Sequence, residues 1–334
     1  MLTPPPDLDE TEVARLVRDA WALPLEGCRY LAEGMGSHHW LGSDDAGADR
    51  WFITADRVGN PKAAEELQVC FTVVSSLAVR LPFVLGPQAG TDGSVTLPAG
   101  RDGSLLVSVR DYLPGNSGRF GEFTQPQVRL QVLRALAEMH ALPVPDLLPR
   151  WQPDSYASIR SALSERDTSW APAGPFAEAA RQLVRTNADS LIRRLEHFAA
   201  MSVDLLSHRH DVISHGEPHA ANVLVLAPGN GTGGLTCPIA LLDWDTVRAA
   251  PKERDLAVAL PDPDSVDLPE AVAVYLEASG HVDDLDHEVI ALFREEWALN
   301  DIDVTLTELR ASHSDTADTQ AALRILGTYA TSGT

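Results

Sequence analysis

The residues that most constrain this chain are a polar segment enclosed by two short apolar runs. Residues 215–222 read HGEPHAAN, and the flanking residues 211–214 and 223–226 are apolar and strand-like. A further apolar run leads directly into Asp243. This pattern predicts two polar loops that neighbouring strands hold next to each other.

The spacing within these loops matches a known catalytic arrangement. Kinase catalytic loops have the form H-R-D-x-x-x-x-N, in which the Asp lies near the acceptor hydroxyl and the Asn binds magnesium. His215, Glu217 and Asn222 fall in that register. Asp243 stands where the second metal-binding Asp belongs, after the next strand.

We therefore predict that Glu217, Asn222 and Asp243 are catalytic residues. The amide oxygen of Asn222 and the carboxylate of Asp243 are ligands that Mg²⁺ prefers, and Glu217 can orient the acceptor hydroxyl as a base. An isolated Asn or Asp is typical of a turn or a helix cap. The three in this order, separated by an apolar run, favour a functional site.

Composition and charge limit the classes of partner. The chain has 334 residues, 44% of them hydrophobic, and a formal net charge of −22. Such acidity argues against nucleic acid as a partner, and it is compatible both with a cationic substrate and with a role in solubility alone. No apolar run approaches the ~20 residues that span a bilayer, and the first residues do not resemble a signal peptide, so we expect no membrane partner.

The cysteines indicate a reducing compartment. Cys28, Cys70 and Cys237 are far apart and have no zinc-binding spacing. We therefore expect a cytoplasmic protein. The sequence leaves open whether it is a monomer or a homodimer.

Strand patterns precede helical patterns along the chain, which predicts an α+β protein of two lobes. We expect a small, mainly β N-terminal nucleotide-binding lobe over residues 1–110, a hinge over 111–118, and a larger, mainly helical C-terminal lobe over 119–334. That second lobe contains the catalytic loop and the substrate-binding helices. The apolar periodicity predicts helices at 8–21, 61–79, 125–141, 175–199, 253–260, 268–278, 284–312 and 317–330, and strands at 28–33, 50–55, 83–88, 104–110 and 238–242.

Two segments, one in the predicted N-terminal lobe and one at its border with the hinge, are candidates for cofactor binding. Gly34, Gly36 and Ser37 form a small glycine loop between two strands, whose backbone N–H groups could approach phosphate oxygens. Residues 109–115, which include Arg110 and Tyr112, could present backbone groups to a purine. The alternatives are a plain hairpin turn and a linker without a ligand.

These motifs resemble the aminoglycoside phosphotransferase family, and in particular its spectinomycin phosphotransferase-like branch. The resemblance rests on residues 215–222, on Leu242-Asp243-Trp244-Asp245 and on the PKERDL segment at 251–256, and it extends over about residues 28–260. It implies a protein-kinase-like fold, with the nucleotide in the cleft between the lobes. It also implies transfer of the γ-phosphate of ATP or GTP, with Mg²⁺, to a hydroxyl of an aminoglycoside, aminocyclitol or related sugar-containing antibiotic, and so antibiotic resistance.

The chain departs from this family in two ways. The family usually has Asp where Glu217 stands, and the additional methylene changes where the carboxylate lies. The family's third strand normally carries a phosphate-binding Lys, whereas residues 51–56 read WFITAD. The chain has two lysines in all, Lys62 and Lys252. We expect Lys62 or Arg57 to hold the phosphates instead.

Further residues are predicted around the substrate. We expect Glu217, His219 and Asp245 to contact the substrate, although Asp245 could simply brace the loop. Glu296 and Asn300 share one face of the predicted helix 284–312, where they could receive amino or hydroxyl groups, and the alternative is a solvated face.

Two predictions concern the structure of the loop itself. We expect His215 to fix the loop by hydrogen bonding rather than to transfer protons. We also expect Arg254 and Asp255 to form a structural ion pair.

Three other functions remain open from the sequence. His208, His210, His215 and His219 could bind zinc in a hydrolase, although no H-E-x-x-H spacing occurs. The missing strand Lys and the Glu217 exchange would suit a catalytically inactive, kinase-like binding protein. A kinase of a cellular amino alcohol or sugar would have the same motifs.

Overall fold

The structure is a computed structural model. It describes residues 1–34, 36–100, 103–121, 123–170, 173–208, 210–227, 238–280 and 285–331. Across these ranges, no helix is both long enough and apolar enough to cross a membrane. Met35 of the glycine loop, the Gly-rich segment 228–237 and Cys237 within it lie outside the described residues.

Most of the helices and strands predicted from apolar periodicity are present in the described residues. The helices are α1 Glu10–Trp21, α2 Pro61–Ala78, α3 Pro126–His140, α4 Ala157–Ser164, α5 Ala177–Thr186, α6 Ala188–His208, α7 Glu253–Ala259, α8 Leu268–Ser279, α9 His287–Arg310 and α10 Ala317–Thr331. The strands are β1 Gly27–Leu31, β2 Ser37–Ser43, β3 Asp49–Arg57, β4 Leu97–Ala99, β5 Leu105–Asp111, β6 Gly115–Ser117, β7 Asp211–Ser214, β8 Val223–Leu226, β9 Ile239–Leu241 and β10 Arg248–Pro251.

The N-terminal strands form an antiparallel sheet in the order β1-β2-β3-β5-β4. Since side chains alternate across a strand, β3 has two different faces. Its buried Trp51, Ile53 and Ala55 join the hydrophobic core that α1 also enters. Phe52, Thr54 and Asp56 therefore lie on the opposite face of the sheet.

The register of the sheet places particular side chains on that opposite face. Thr54 of β3 is paired with His39 of β2, and Phe52 is paired with Arg110 of β5. Directly opposed residues of adjacent strands project to the same side. His39 and Arg110 consequently lie beside Phe52 and Thr54, away from the core.

Two smaller sheets carry the polar loops singled out in the sequence. Strands β6, β8 and β9 form one antiparallel sheet, and β7 pairs with β10 in the other. The polar residues 215–222 connect β7 to β8 and end in a short 3-10 helix, Ala220–Asn222. Asp243 follows β9. The predicted placement of both loops next to strands is confirmed.

The chain divides into two compact units, residues 1–151 with 210–285, and residues 152–209 with 286–334. All three sheets belong to the first unit. The second unit consists of α4, α5, α6, α9 and α10, and within it Asp303 of α9 accepts a hydrogen bond from the backbone N–H of Ile159 in α4 at 2.9 Å. The predicted lobes at 1–110 and 119–334, with a hinge at 111–118, remain a prediction.

Some of the predicted elements are wrong. Residues 83–88 do not form a strand, because Pro82 and Pro87 lack the N–H that a ladder needs; the segment has only an isolated bridge from Val84 to Leu241. The helix predicted over 175–199 is two helices, since Asn187 ends α5 in a non-helical conformation. Strands β2, β4, β6 and β10 and helix α4 were not predicted.

Candidate active site

A cavity of about 770 Å³ lies within the first unit. Its volume is in the range of ligand-binding pockets. Its lining includes His39, Phe52 and Arg110 from the N-terminal sheet, residues 111–113, and Asn222 and Asp243 from the two polar loops. The cavity therefore brings together the N-terminal sheet and both predicted polar loops.

His215 anchors the first loop through both ring nitrogens. Its Nδ1 accepts a hydrogen bond from the backbone N–H of Glu217 at 3.2 Å, so Nε2 carries the proton and donates to the carbonyl of Leu242 at 2.8 Å. Burial lowers the pKa of His215, although Asp255 opposes that effect, and the neutral ring suits this pattern. The ring thus ties the first loop to the second, as predicted.

Asp255 of α7 holds the start of the same loop. Its carboxylate accepts hydrogen bonds from the backbone N–H groups of His215 at 3.0 Å and Gly216 at 2.6 Å, from the Ser214 hydroxyl at 2.9 Å and from His140 Nε2 at 2.9 Å. Burial alone would raise the pKa of Asp255, but the hydrogen bonds and the neighbouring histidines lower it to about 2. The fully buried carboxylate therefore organises the loop as an anion.

The predicted ion pair between Arg254 and Asp255 is wrong. Arg254 donates instead to the Ser214 hydroxyl at 3.2 Å and to the Thr246 carbonyl at 3.1 Å. Its guanidinium packs against Gly216, whose φ is +98° and at which a Cβ would lie 2.5 Å from Arg254 Nη1. The glycine is thus required both by its backbone conformation and by this close approach.

Asn222 presents an amide oxygen to which no described residue donates a hydrogen bond. Its Nδ2 donates to the carbonyl of Glu217 at 3.0 Å, which fixes the orientation of the amide. The backbone carbonyl of Asn222 accepts from the N–H of Leu242 at 2.9 Å, so the two loops are bonded directly. Within the described ranges, Oδ1 accepts no hydrogen bond, and the residue lines the cavity. This oxygen is available to a ligand.

Asp243 has an unusual backbone conformation for a residue with a side chain. Its φ is +60°, in the left-handed region that Asp and Asn tolerate better than most residues. Its carboxylate lines the cavity and accepts no hydrogen bond from any described residue. Backbone conformations of this kind cluster at functional sites, because the surrounding structure must hold them in place.

Several carboxylates lie near Asp243. Burial raises the pKa of Asp245 well above its ordinary value, and the charges of Asp243, Glu217 and Asp56 raise it further. Burial also raises the pKa of Asp56 to about 6, against the hydrogen bond that the Ser37 hydroxyl donates to it at 2.6 Å. Like charges held close together favour a cation among them.

The donor set fits magnesium better than zinc. Among the described residues, no group of three or more His, Cys, Asp and Glu side chains is arranged to hold a metal ion. The unpartnered oxygens of Asn222 and Asp243 are the amide and carboxylate ligands that Mg²⁺ takes together with water and phosphate oxygens. The histidine-rich zinc alternative therefore has no structural support.

The predicted cofactor residues are distributed unevenly. Gly34, Arg110 and Tyr112 line the cavity. Gly36 and Ser37 are not among its lining residues, and the Ser37 side chain bonds Asp56.

Lys62 also lies outside the cavity lining. It is at the exposed start of α2, where its Nζ is 3.6 Å from Glu66 Oε1 and its side chain is 84% exposed. The structure therefore does not bring this predicted phosphate-binding cation to the cavity.

Glu217 and His219 belong to the first loop, and neither they nor Asp245 are among the residues that line the cavity. His219 Nε2 is 3.9 Å from Glu217 Oε2, and the His219 ring packs edge-on against Phe120. Burial lowers the pKa of His219 to about 4, so the ring is neutral at pH 7. The Glu217 side chain is 38% exposed, which leaves its carboxylate accessible.

Glu296 and Asn300 belong to the second unit. Both are on α9, where Glu296 is buried and Asn300 is exposed. Asp303 of the same helix accepts a hydrogen bond from the backbone of α4. The substrate role of Glu296 and Asn300 remains a prediction.

Sequence reasoning did not single out Thr54 and Asp56. Both lie on the face of β3 opposite the core, and Thr54 Oγ1 accepts a hydrogen bond from Arg110 Nη2 at 2.9 Å. The signal was present in the sequence, because a buried strand with polar residues at every second position predicts a polar face. The register that places Arg110 on that face required the structure.

The comparison with protein families identifies the group to which this geometry belongs. The model of the phosphotransferase enzyme family, APH, matches residues 31–293. The chain belongs to this family. A search of the curated proteins found no match.

Solved structures show that this phosphotransferase shares its fold with several kinases. Spectinomycin phosphotransferase in complex with ADP and spectinomycin has a TM-score of 0.67 at 15% identity, covering 96% of this chain and 94% of that one. Amicoumacin kinase has a TM-score of 0.60 at 14% identity, with coverage of 97% and 93%. A microcompartment-associated aminopropanol kinase has a TM-score of 0.56 at 15% identity, with coverage of 96% and 95%. The predicted α+β, protein-kinase-like fold is confirmed.

Proposed function

We propose that this phosphotransferase moves the γ-phosphate of ATP or GTP to a hydroxyl group of a small molecule, with Mg²⁺ as cofactor. The observation that carries the proposal is the convergence of Asn222 Oδ1 and the Asp243 carboxylate on one cavity, with no protein partner for either among the described residues. Structural Asn and Asp side chains use their oxygens within the protein. Two oxygens left free toward a cavity favour a bound cation and its nucleotide.

The remaining roles follow from what each side chain can do. Asn222 and Asp243 would hold Mg²⁺, which neutralises charge on the phosphate oxygens when bound. Gly34 and the segment at Tyr112 would contact the nucleotide. Glu217, accessible at the cavity-side loop, would orient the acceptor hydroxyl and accept its proton.

We propose an antibiotic as the acceptor, of the aminoglycoside, aminocyclitol or related sugar-containing class, so that the enzyme confers resistance. The fold shared with spectinomycin phosphotransferase supports this class by analogy, and the net charge of −22 suits a cationic acceptor. His219, Asp245, Glu296 and Asn300 are the proposed acceptor-binding residues. We further propose that the enzyme acts in the cytoplasm.

The experiment that tests this function is a panel of acceptors. Purified protein is incubated with Mg²⁺ and either ATP or GTP, together with aminoglycosides, spectinomycin, macrolides and amino alcohols, and products are read by mass spectrometry. One added phosphate on a hydroxyl of an antibiotic supports the proposal. Phosphorylation of amino alcohols alone would instead support a metabolite kinase, and no product with any acceptor would support an inactive binding protein.

The exchange Glu217→Gln is expected to lower kcat by about 10²- to 10⁴-fold, the usual contribution of a positioned base. Gln has the same length but cannot accept the proton of the hydroxyl. Because the Glu217 backbone, rather than its side chain, bonds His215 and Asn222, the loop should keep its conformation. Turnover with the acceptor found in the panel measures the loss, and calorimetric titration of ADP should give wild-type affinity. A kcat within a factor of a few of wild type would refute the role.

A further inference from the structure

The cavity is lined by more acidic than basic side chains, so the binding of a negatively charged nucleotide there requires a source of positive charge. Its lining includes the carboxylates of Glu33, Asp111 and Asp243, whereas the nucleotide proposed to bind there brings several more negative charges. The family's usual phosphate-binding Lys is missing from β3. Among the described residues that line the cavity, Arg110 is the only Lys or Arg.

Arg110 is held on the nucleotide-facing side of the sheet by its neighbours. Its Nη2 donates to Thr54 Oγ1 at 2.9 Å, and its guanidinium lies 5.2 Å from the centre of the Phe52 ring. Thr54 Oγ1 is also 3.3 Å from His39 Nδ1. Burial, followed by the charge of Arg110, lowers the pKa of His39 to about 3, so this ring is neutral and adds no second cation.

Most N–H groups of the Arg110 guanidinium have no acceptor among the described residues. Arg offers five N–H donors, and the bond to Thr54 is the only side-chain hydrogen bond of Arg110 within the described part of the chain. No carboxylate of that part comes within 4 Å of it to form an ion pair. Burial lowers the pKa of Arg110, and the negative charges of Asp243, Asp56 and Asp245 oppose this effect. Arg110 is thus close to Asp243 without being neutralised by direct contact.

We propose that Arg110 of β5 binds the nucleotide phosphates in place of the missing β3 Lys. The guanidinium is bonded to Thr54 of β3. Arg110 of the neighbouring strand β5 therefore places a positive charge next to β3, the strand that lacks the Lys. The planar fork suits phosphate oxygens, which Arg can bind with two N–H groups. This inference rests on the proposed function, because it names the phosphate contact of the same site.

Binding measurements separate this role from the phosphotransfer reaction. Isothermal titration with adenosine, ADP and a non-hydrolysable ATP analogue, all with Mg²⁺, is carried out on the wild type, Arg110→Ala and Lys62→Ala. We expect Arg110→Ala to weaken ADP and the ATP analogue roughly tenfold to a hundredfold and to leave adenosine unchanged, since a charged hydrogen bond to phosphate is lost. Lys62→Ala should bind all three ligands as the wild type does.

Matched variants test the charge and the fold. Arg50→Ala removes an exposed arginine from β3 that pairs with Asp44 and does not line the cavity, and it should not change affinity. Arg110→Lys, or Thr54→Lys combined with Arg110→Ala, returns a positive charge and should recover part of the loss. Should Arg110→Ala fail to fold, Arg110→Gln replaces it, because Gln can keep the bond to Thr54 without the charge.

Several results would overturn the proposal. Arg110→Ala or Arg110→Gln could bind ADP with wild-type affinity, or Arg110→Ala could lose as much affinity for adenosine as for ADP. Lys62→Ala could lose ADP affinity instead, or neither variant with a new lysine could recover it. If the wild type binds ADP and Arg110→Ala binds it equally well, this inference alone fails. If the wild type binds no nucleotide, the proposed function fails with it.

Discussion

Replacing Asp243 by asparagine is expected to lower turnover by about 10³-fold or more without unfolding the chain. If Asp243 is the anionic metal ligand proposed above, its loss removes charge stabilisation worth several kcal/mol, and each ~1.4 kcal/mol corresponds to a factor of ten in rate. Asn has the same shape and tolerates the left-handed backbone at φ +60°, where Ala would be strained. The measurement is kcat with the acceptor identified by the panel, together with the melting temperature.

The control for this exchange is Asp264→Asn, which removes an exposed carboxylate of the same unit and should change neither quantity. The concentration of Mg²⁺ at half-maximal rate should rise in Asp243→Asn, because the remaining amide ligand binds the ion weakly. A near-wild-type rate would exclude Asp243 as a metal ligand. A large fall in melting temperature would mean that the carboxylate is structural.

The candidate catalytic loop was predictable because its signal is local. The interval from His215 to Asn222 fits within one loop, and apolar runs on either side predict the strands that hold it. The same reasoning located most helices, because apolar residues that repeat at the helical period form one face of a helix, and that face packs against the core. It failed at Asn187, where the apolar pattern continues although the helix is interrupted.

The environment of each site residue was less predictable, because it depends on the register between distant strands. The bond between Arg110 and Thr54 joins residues 56 positions apart, and only the pairing of β3 with β5 reveals it. The sequence pointed to Lys62 because that lysine is near in the chain, yet the helix start leaves it in solvent. The Asp255 network likewise gathers groups from α3, β7 and the loop, which no spacing in the sequence connects.

Replacing Asp255 by alanine is expected to destabilise the first unit by about 3–5 kcal/mol, the usual cost of removing one partner from a buried charged network. The exchange leaves the Ser214 hydroxyl, His140 Nε2 and the backbone N–H groups of His215 and Gly216 without their acceptor. Each buried donor left unpaired costs free energy, and the loop that carries Glu217 and Asn222 loses its anchor. Urea unfolding measures the change in the free energy of unfolding, with the exposed Asp264→Ala as the control.

The pH dependence of stability gives an independent test of the same carboxylate. Its pKa is about 2 in the folded chain and 3.8 as the ordinary value, so the folded state favours the anion. A depressed folded pKa means that this stabilisation, on the order of 2 kcal/mol, is fully present above about pH 4 and is lost as the pH falls toward 2. The wild type should therefore lose stability more steeply than Asp255→Ala between these values. Parallel curves for the two proteins, or an alanine variant less than about 1 kcal/mol weaker than the wild type at pH 7, would contradict the role of Asp255 as the anionic anchor of the loop.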